Sequence, residues 1–223
     1  MSFQAIACDY DRTLADEGRV APQTLDVLRR AREADRKLIL ITGRTLDDLR
    51  TVFSGLSVFN AVVVENGATL FDPALGSEEP LCAPPPPQFL ALLRERRVPF
   101  SVGKRVVASV RPYETAITRL IEELSLDLKV AFNRESIMVL PTGVDKAAGL
   151  TTALSRLGIK PSGVVGIGDA ENDISFLRLC GFSVAVANAI DSLKEEVDVV
   201  TRQDYGAGAA EIIEQVIAGV QLS

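Results

Sequence analysis

Ala5-Ile6-Ala7-Cys8-Asp9-Tyr10-Asp11-Arg12-Thr13-Leu14 begins as an apolar run suited to a buried strand and breaks into two carboxylates, one on each side of a tyrosine. Residues two apart in extended chain face the same side, so Asp9 and Asp11 can share one space. Open α/β sheets carry their sites beyond the carboxyl ends of their strands. Two carboxylates there repel each other unless a cation joins them or one takes up a proton. The pair suits a bound Mg²⁺ with nucleophilic or acid–base work. Taken alone, the same residues also fit a strand-end Asx turn.

Outward from this stretch, Ala15 to Val20 reads as a polar, Gly-containing loop, and Pro22 opens a helix to about Ala34. Lys37 to Ile41 is a second buried strand ending at Thr42-Gly43-Arg44, and a helix to about Phe53 follows. Ala61 to Val64 is a third strand, ending in Glu65-Asn66-Gly67. Near-continuous apolar strands alternating with helices indicate a parallel α/β sheet. The pattern changes at Ala83-Pro84-Pro85-Pro86-Pro87, a stiff linker. Beyond it the spacing predicts a helix (88–96), two strands (99–102, 106–110), a helix (113–124) and two strands (128–132, 136–140). That αββαββ order suits an α+β layer with helices on one face of an antiparallel sheet. The first pattern then resumes: a helix from Lys146 to Leu157 stopped by Gly158, a strand ending at Gly168-Asp169, a helix over 172–179, strands over 183–186 and 197–200, and a last helix over 207–220.

The chain has 223 residues, 47% hydrophobic and 24% charged, as in ordinary globular proteins. Its net charge of −6 argues against a nucleic-acid or anionic-membrane surface. Histidine is absent, which removes His bases, His-activated nucleophiles and His metal sites. Catalysis must come from Asp, Glu, Lys, Ser, Thr, Tyr or a hard cation. Cys8, Cys82 and Cys180 are too widely spaced for a zinc or redox pattern. No basic region followed by a long apolar stretch stands at the amino terminus, and the expected location is the cytoplasm.

Polar groups therefore fall at strand ends or helix starts at Asp9/Asp11, Thr42, Lys146 and Asp169/Asp173. In this order they resemble the haloacid dehalogenase superfamily of Mg²⁺-dependent phosphohydrolases over essentially the whole chain. The first motif is Asp9-Tyr10-Asp11-Arg12-Thr13-Leu14, the second Thr42 in Ile41-Thr42-Gly43-Arg44, the third Lys146 in Gly143-Val144-Asp145-Lys146, and the fourth Gly168-Asp169-Ala170-Glu171-Asn172-Asp173. The resemblance implies an α/β fold: a Rossmann-like parallel-sheet core with helices on both faces (1–82 and 142–223) and an inserted α+β cap domain (83–141). It implies that Asp9 attacks phosphorus to form an aspartyl-phosphate and that Asp11 is the acid and then the base. It implies Mg²⁺ held by Asp9, the Asp11 carbonyl, Asp169 and Asp173, and phosphoryl oxygens held by Thr42, Gly43 and Lys146, with Asn172 orienting the shell. Arg44 and Asn66 are further contact candidates.

One position departs from the family pattern. Gly commonly follows the second Asp, and here the residue is Arg12, which either keeps an ordinary backbone conformation or accepts strain. The insertion lies between Thr42 and Lys146, which resembles the type with a small α/β cap. Lys104, Arg105, Arg111 and Arg134 are the cap cations able to meet a second anionic group on a substrate. The expected partner is a small phosphorylated metabolite, phosphoglycolate or a sugar phosphate, with no nucleic acid or membrane, in a monomer or homodimer. A phosphomutase using the same aspartyl-phosphate and a non-catalytic binding module are the alternatives.

Overall fold

The computed structural model describes residues 3–220 and 222; the outermost bounds of the expected core, 1 and 223, lie outside the described residues. β1 (Ala5–Asp9) is buried at every position. A small hairpin follows, β2 (Ala15–Asp16) and β3 (Arg19–Val20), where the sequence suggests only a loop. Strands of two residues are too short to show alternation. The Tyr10 hydroxyl fixes the hairpin by donating to the Gly18 carbonyl at 2.9 Å. α1 (Pro22–Glu33) buries Thr24, Val27, Leu28 and Ala31, one stripe at helical spacing. Then come β4 (Lys37–Ile41), α2 (Leu46–Val52) and β5 (Ala61–Val64). Thr45 caps α2 by accepting from the Asp48 amide at 3.1 Å.

β6 (Thr69–Asp72) and β7 (Ser77–Pro80) extend the sheet antiparallel beyond β5. The sequence reading passes straight from β5 to the proline run, because β6 is mostly buried and β7 is nearly all polar, so neither shows a clean period of two. The αββαββ block is α3 (Pro87–Glu95), β8 (Phe100–Val102), β9 (Val107–Val110), α4 (Glu114–Glu123), β10 (Leu128–Asn133) and β11 (Ser136–Pro141). The chain returns through α5 (Lys146–Leu157), β12 (Val164–Gly168), α6 (Ile174–Leu177), β13 (Phe182–Ala185), α7 (Asp191–Lys194), β14 (Val199–Val200) and α8 (Tyr205–Ala218). The single helix expected over 172–179 is instead a 3₁₀ turn (Glu171–Asp173) running into the one-turn α6.

The main sheet has the order β14-β13-β12-β1-β4-β5-β6-β7 and is parallel from β14 to β5. The chain builds outward from β1 to one side and, after the cap, resumes next to β1 on the other. That reversal between β1 and β12 is the switch point at which open α/β sheets leave a crevice. α1 packs on α8, while α5 packs on α6 and across β4 and β5. The fold class is the expected α/β core with an antiparallel cap.

The cap sheet has the order β10-β11-β9-β8. Its own apolar cluster joins Phe89 and Leu93 of α3, Ile117, Leu120 and Ile121 of α4, and Val107, Ile137 and Val139 of the sheet. Alternation along β9 and β11 sends those strand residues toward the helices and leaves the paired Ala108 and Met138 on the opposite face. A third small cluster (Ala68, Val106, Leu140) joins cap to core.

Candidate active site

β1 delivers Asp9 as its last residue, and β12 ends at Gly168 with Asp169 next in the chain. Asp145 caps α5 by accepting from the Ala148 amide at 2.9 Å, which puts Lys146 at the first helical position. Its side chain turns inward and is 1% exposed. The Lys146 ammonium donates to Asp9 Oδ1 at 2.5 Å and to Asp173 Oδ1 at 2.6 Å. Asp173 Oδ2 accepts from the Asp169 and Ala170 amides at 2.8 and 3.0 Å. A Cβ at Gly168 would come within 2.7 Å of Asp173 Cβ, so glycine is what lets this carboxylate close against the strand end.

Among the described residues Asp9, Asp169 and Asp173 form a group whose ligand oxygens all lie within 4.8 Å of one another. Lys146 answers Asp9 and Asp173, and Asp169 is answered from the cap by Arg134 Nη2 at 2.6 Å. Burial pushes the Asp9 carboxyl well above its ordinary value, Lys146 opposes that, and Asp173 and Asp169 reinforce it. Burial likewise raises Asp169, helped by Asp173 and opposed by Arg134. For Lys146 burial acts downward, yet the two carboxylates overcome it and hold the ammonium above its ordinary value. A donor set made only of carboxylate oxygens fits a hard divalent cation such as Mg²⁺.

Asp11 stands apart from this group. The strand ends at Asp9, so the side-to-side alternation that would aim both carboxylates at one space stops there. Arg44 Nε and Nη2 donate to Asp11 Oδ2 and Oδ1 at 2.7 and 2.8 Å, a two-toothed pair. Arg44 Nη1 donates to Asp48 at 2.6 Å. Arg44, expected to meet phosphate, is thus committed to two carboxylates. Thr13 is fully buried and its hydroxyl donates to Asp169 Oδ1 at 3.2 Å, tying the first motif to the fourth.

Thr42 is fully buried beside Asp9's strand, and its hydroxyl oxygen accepts from the Arg44 amide at 3.1 Å. Gly43 lies against Asn66, whose side-chain nitrogen would be 3.2 Å from a Cβ there. Asn172 donates to Asn66 Oδ1 at 3.0 Å, so these two amides bridge β5 to the fourth motif. The Asn172 Oδ1 is buried without a hydrogen-bond partner among the described residues.

Sequence reasoning missed Glu65. It is 2% exposed at the end of β5 and accepts from the Arg105 amide at 3.1 Å in the turn between β8 and β9. Burial raises its carboxyl, and the amides of Arg105, Val106 and Lys104 pull it back down. A Cβ on Gly103 would come within 1.9 Å of Glu65 Oε1, so the cap turn fits this acid because position 103 has no side chain. The signal in the sequence was an acid directly after an apolar strand.

A cavity of about 360 Å³ lies between cap and core, lined by Gly43, Arg44, Thr45 and Glu65 below and by Val102, Ala108 and Met138 above, among others. A larger one of about 540 Å³, between β14 and α8, contains none of the residues above. Among the described residues no helix is long and apolar enough to cross a membrane.

The chain is similar to known proteins in sequence and in fold. The family of haloacid dehalogenase-like hydrolases matches residues 6–80 and 95–213. The chain is 31% identical over 222 residues to phosphoglycolate phosphatase 2 of Saccharolobus solfataricus, covering 96% of this chain and 92% of that one. It is also 31% identical over 219 residues to the phosphoglycolate phosphatase of Methanothermobacter thermautotrophicus, covering 95% and 97%. A solved structure from Thermoplasma acidophilum shares the fold with a TM-score of 0.81 at 19% identity over 97% of this chain and 99% of that one. A haloacid dehalogenase-like hydrolase from Bacteroides thetaiotaomicron does so with 0.82 at 20% over 96% and 100%. With a buried Lys146 between the first and fourth motifs and the family matching the core and most of the cap, this chain belongs to the haloacid dehalogenase-like hydrolases.

Proposed function

We propose that this enzyme is a cytoplasmic, Mg²⁺-dependent phosphatase that hydrolyses a small phosphate monoester through an aspartyl-phosphate, with phosphoglycolate the leading substrate. The observation that carries the reading is Lys146 seated between Asp9 and Asp173, with Asp169 beside them, at the carboxyl ends of β1 and β12. The names of the similar phosphatases support the substrate.

In the first step an Asp9 carboxylate oxygen forms a bond to phosphorus as the ester oxygen departs with its electron pair, and Asp11 supplies the proton that oxygen needs. In the second, water attacks the same phosphorus, Asp11 takes its proton, and the Asp9–phosphorus bond breaks to return carboxylate and inorganic phosphate. Lys146 and the Thr42 hydroxyl hold phosphoryl oxygens as charge moves onto them. Asp173 accepts three hydrogen bonds already and fixes Lys146 and the loop after β12. Asp9, Asp169 and the Asp11 carbonyl would hold Mg²⁺, which when bound screens the carboxylates from the incoming phosphate. Arg44 must release Asp11 for proton transfer, so Arg44 acts on the base and not on the phosphate.

The test is phosphate release from a panel of monoesters (phosphoglycolate, hexose phosphates, glycerol phosphates, an aryl phosphate) with Mg²⁺, wild type beside Asp9→Asn. Release by wild type and a loss of at least about 10³-fold in the variant is the expected result. Comparable release by the variant overturns Asp9 as nucleophile. Phosphoryl return to the sugar, in place of free phosphate, would make the enzyme a mutase.

A further inference from the structure

Of the four cap cations flagged in the sequence, two have partners away from the carboxylate cluster and a third lines a hollow elsewhere. Lys104 pairs with Glu78 at 2.8 Å on the surface. Arg111 pairs with Glu114 at 3.5 Å and lies over the Phe132 ring. Arg105 lines a hollow with Pro84, Pro85 and Phe89. Arg134 is different. It sits in the turn between β10 and β11, with φ of 52°, and its amide donates to Glu171 at 3.1 Å. From there its guanidinium reaches across to core Asp169, with Nη2 at 2.6 Å from Oδ2. Its Nε is buried with no hydrogen-bond partner among the described residues.

That contact serves an acid which a divalent cation would also claim. A dication and a guanidinium on one carboxylate repel each other, and the guanidinium is the one on a flexible stem. Released from Asp169, Arg134 still stands beside the carboxylate cluster with a planar fork and one donor already unsatisfied. Resting on the phosphatase reading above, we infer that Arg134 is the cap's specificity residue: it leaves Asp169 when the cation binds and pairs with a second anionic group, a carboxylate, joined to the phosphate by a short carbon linker. The linker must be short because Arg134 contacts the very carboxylate cluster whose ligand oxygens lie within 4.8 Å of one another. A guanidinium matches a carboxylate in shape and charge, whereas neutral hydroxyls of a sugar would leave its charge unpaired.

The test needs no turnover. 3-Phosphonopropionate, which keeps a carboxylate beside a non-hydrolysable phosphonate, and propylphosphonate, which lacks the carboxylate, are titrated calorimetrically into the Mg²⁺-loaded enzyme. Wild type should prefer the carboxylate-bearing ligand by about 10- to 100-fold, the range of a charge-assisted pair. In Arg134→Gln that ratio should fall toward unity, and Arg134→Lys should keep part of it. Lys104→Gln, which removes a cap cation paired elsewhere, should keep all of it. Mg²⁺ should also bind Arg134→Gln more tightly than wild type, since a competitor for Asp169 is gone. A ratio that survives in Arg134→Gln overturns the inference, and so does a wild type with no preference. Phosphate release from phosphoglycolate by the same preparation then tells whether the phosphatase reading falls with it: turnover without preference sinks Arg134 alone, while no turnover of any ester sinks both.

Discussion

Arg12 has φ of 66°, the left-handed conformation that the usual glycine at this position adopts without cost. The arginine accepts the strain and uses the position: its Nε is 3.7 Å from Asp169 Oδ2, and its guanidinium lies 5.7 Å from the Tyr205 ring centre. Its side chain is 46% exposed, so the ion pair is screened and contributes little. Arg12→Gly and Arg12→Ala lose the same contacts, and only glycine is free of the strain. Left-handed strain of about 1–2 kcal/mol, less the roughly 0.4–1 kcal/mol by which Ala stiffens the unfolded chain, leaves Arg12→Ala the less stable of the two by about 1 kcal/mol in urea denaturation. Equal stabilities would mean that the main chain moves out of the left-handed region once the guanidinium is gone. That Arg12 is unusual follows from the resemblance to the family, in which a glycine commonly stands there. That it meets Asp169 does not, since only the pairing of β1 with β12 brings them together.

At the scale of elements, buried strands and their polar ends were the clearest signal: β1, β4, β5 and β12 are near-continuous apolar runs, and each ends at a residue of the site or beside it. The amphipathic α4 was equally plain, with Ile117, Leu120 and Ile121 on one stripe. What stayed hidden depends on tertiary contacts. β6 and β7 exist because β5 offers them an open edge, and Lys146 looks like a surface lysine until α5 turns it between two carboxylates. Glu65 is the same kind of case, an acid after a strand whose partners are amides of a cap turn far along the chain. Its carboxyl is raised above 4.5 by burial. An acid with a raised folded value binds its proton more tightly when folded, so its contribution to stability falls as pH rises through 4.5 and levels off above the folded value. The difference in unfolding free energy between wild type and Glu65→Gln should therefore shrink over that window and then stay constant. Chemical denaturation of both proteins at a series of pH values checks it. A difference that grows with pH would mean that the cap amides outweigh burial and that Glu65 is best held as an anion.

The whole molecule is two apolar clusters joined at one small seam. The core cluster runs through β1, β4, β5, β12 and β13 with α1, α5 and α8, and none of its residues comes from α3 to β11. The cap cluster is built within residues 89–139. Between them lie the small cluster of Ala68, Val106 and Leu140, the Glu65 clasp and the Arg134 contact. The residues that face phosphorus in the proposed mechanism, Asp9, Asp11, Thr42 and Lys146, all belong to the core, whereas the cavity's upper wall and Arg134 belong to the cap. On the proposed mechanism, chemistry and selection fall to different parts of the chain. Excising residues 84–141 and bridging the gap uncovers Ala68, removes Arg134 from Asp169 and leaves Glu65 to be solvated by water in place of the cap amides. The truncated protein should fold, as seen by far-UV circular dichroism and a cooperative transition, and should still hydrolyse an aryl phosphate with Mg²⁺. Its preference for the best monoester of the intact enzyme over the aryl phosphate, as a ratio of kcat/KM, should drop by about tenfold or more, because the groups that recognise the leaving side have been removed. An unchanged ratio in a folded truncation would place selection in the core, with Arg44 and Asn66 as the residues to examine next.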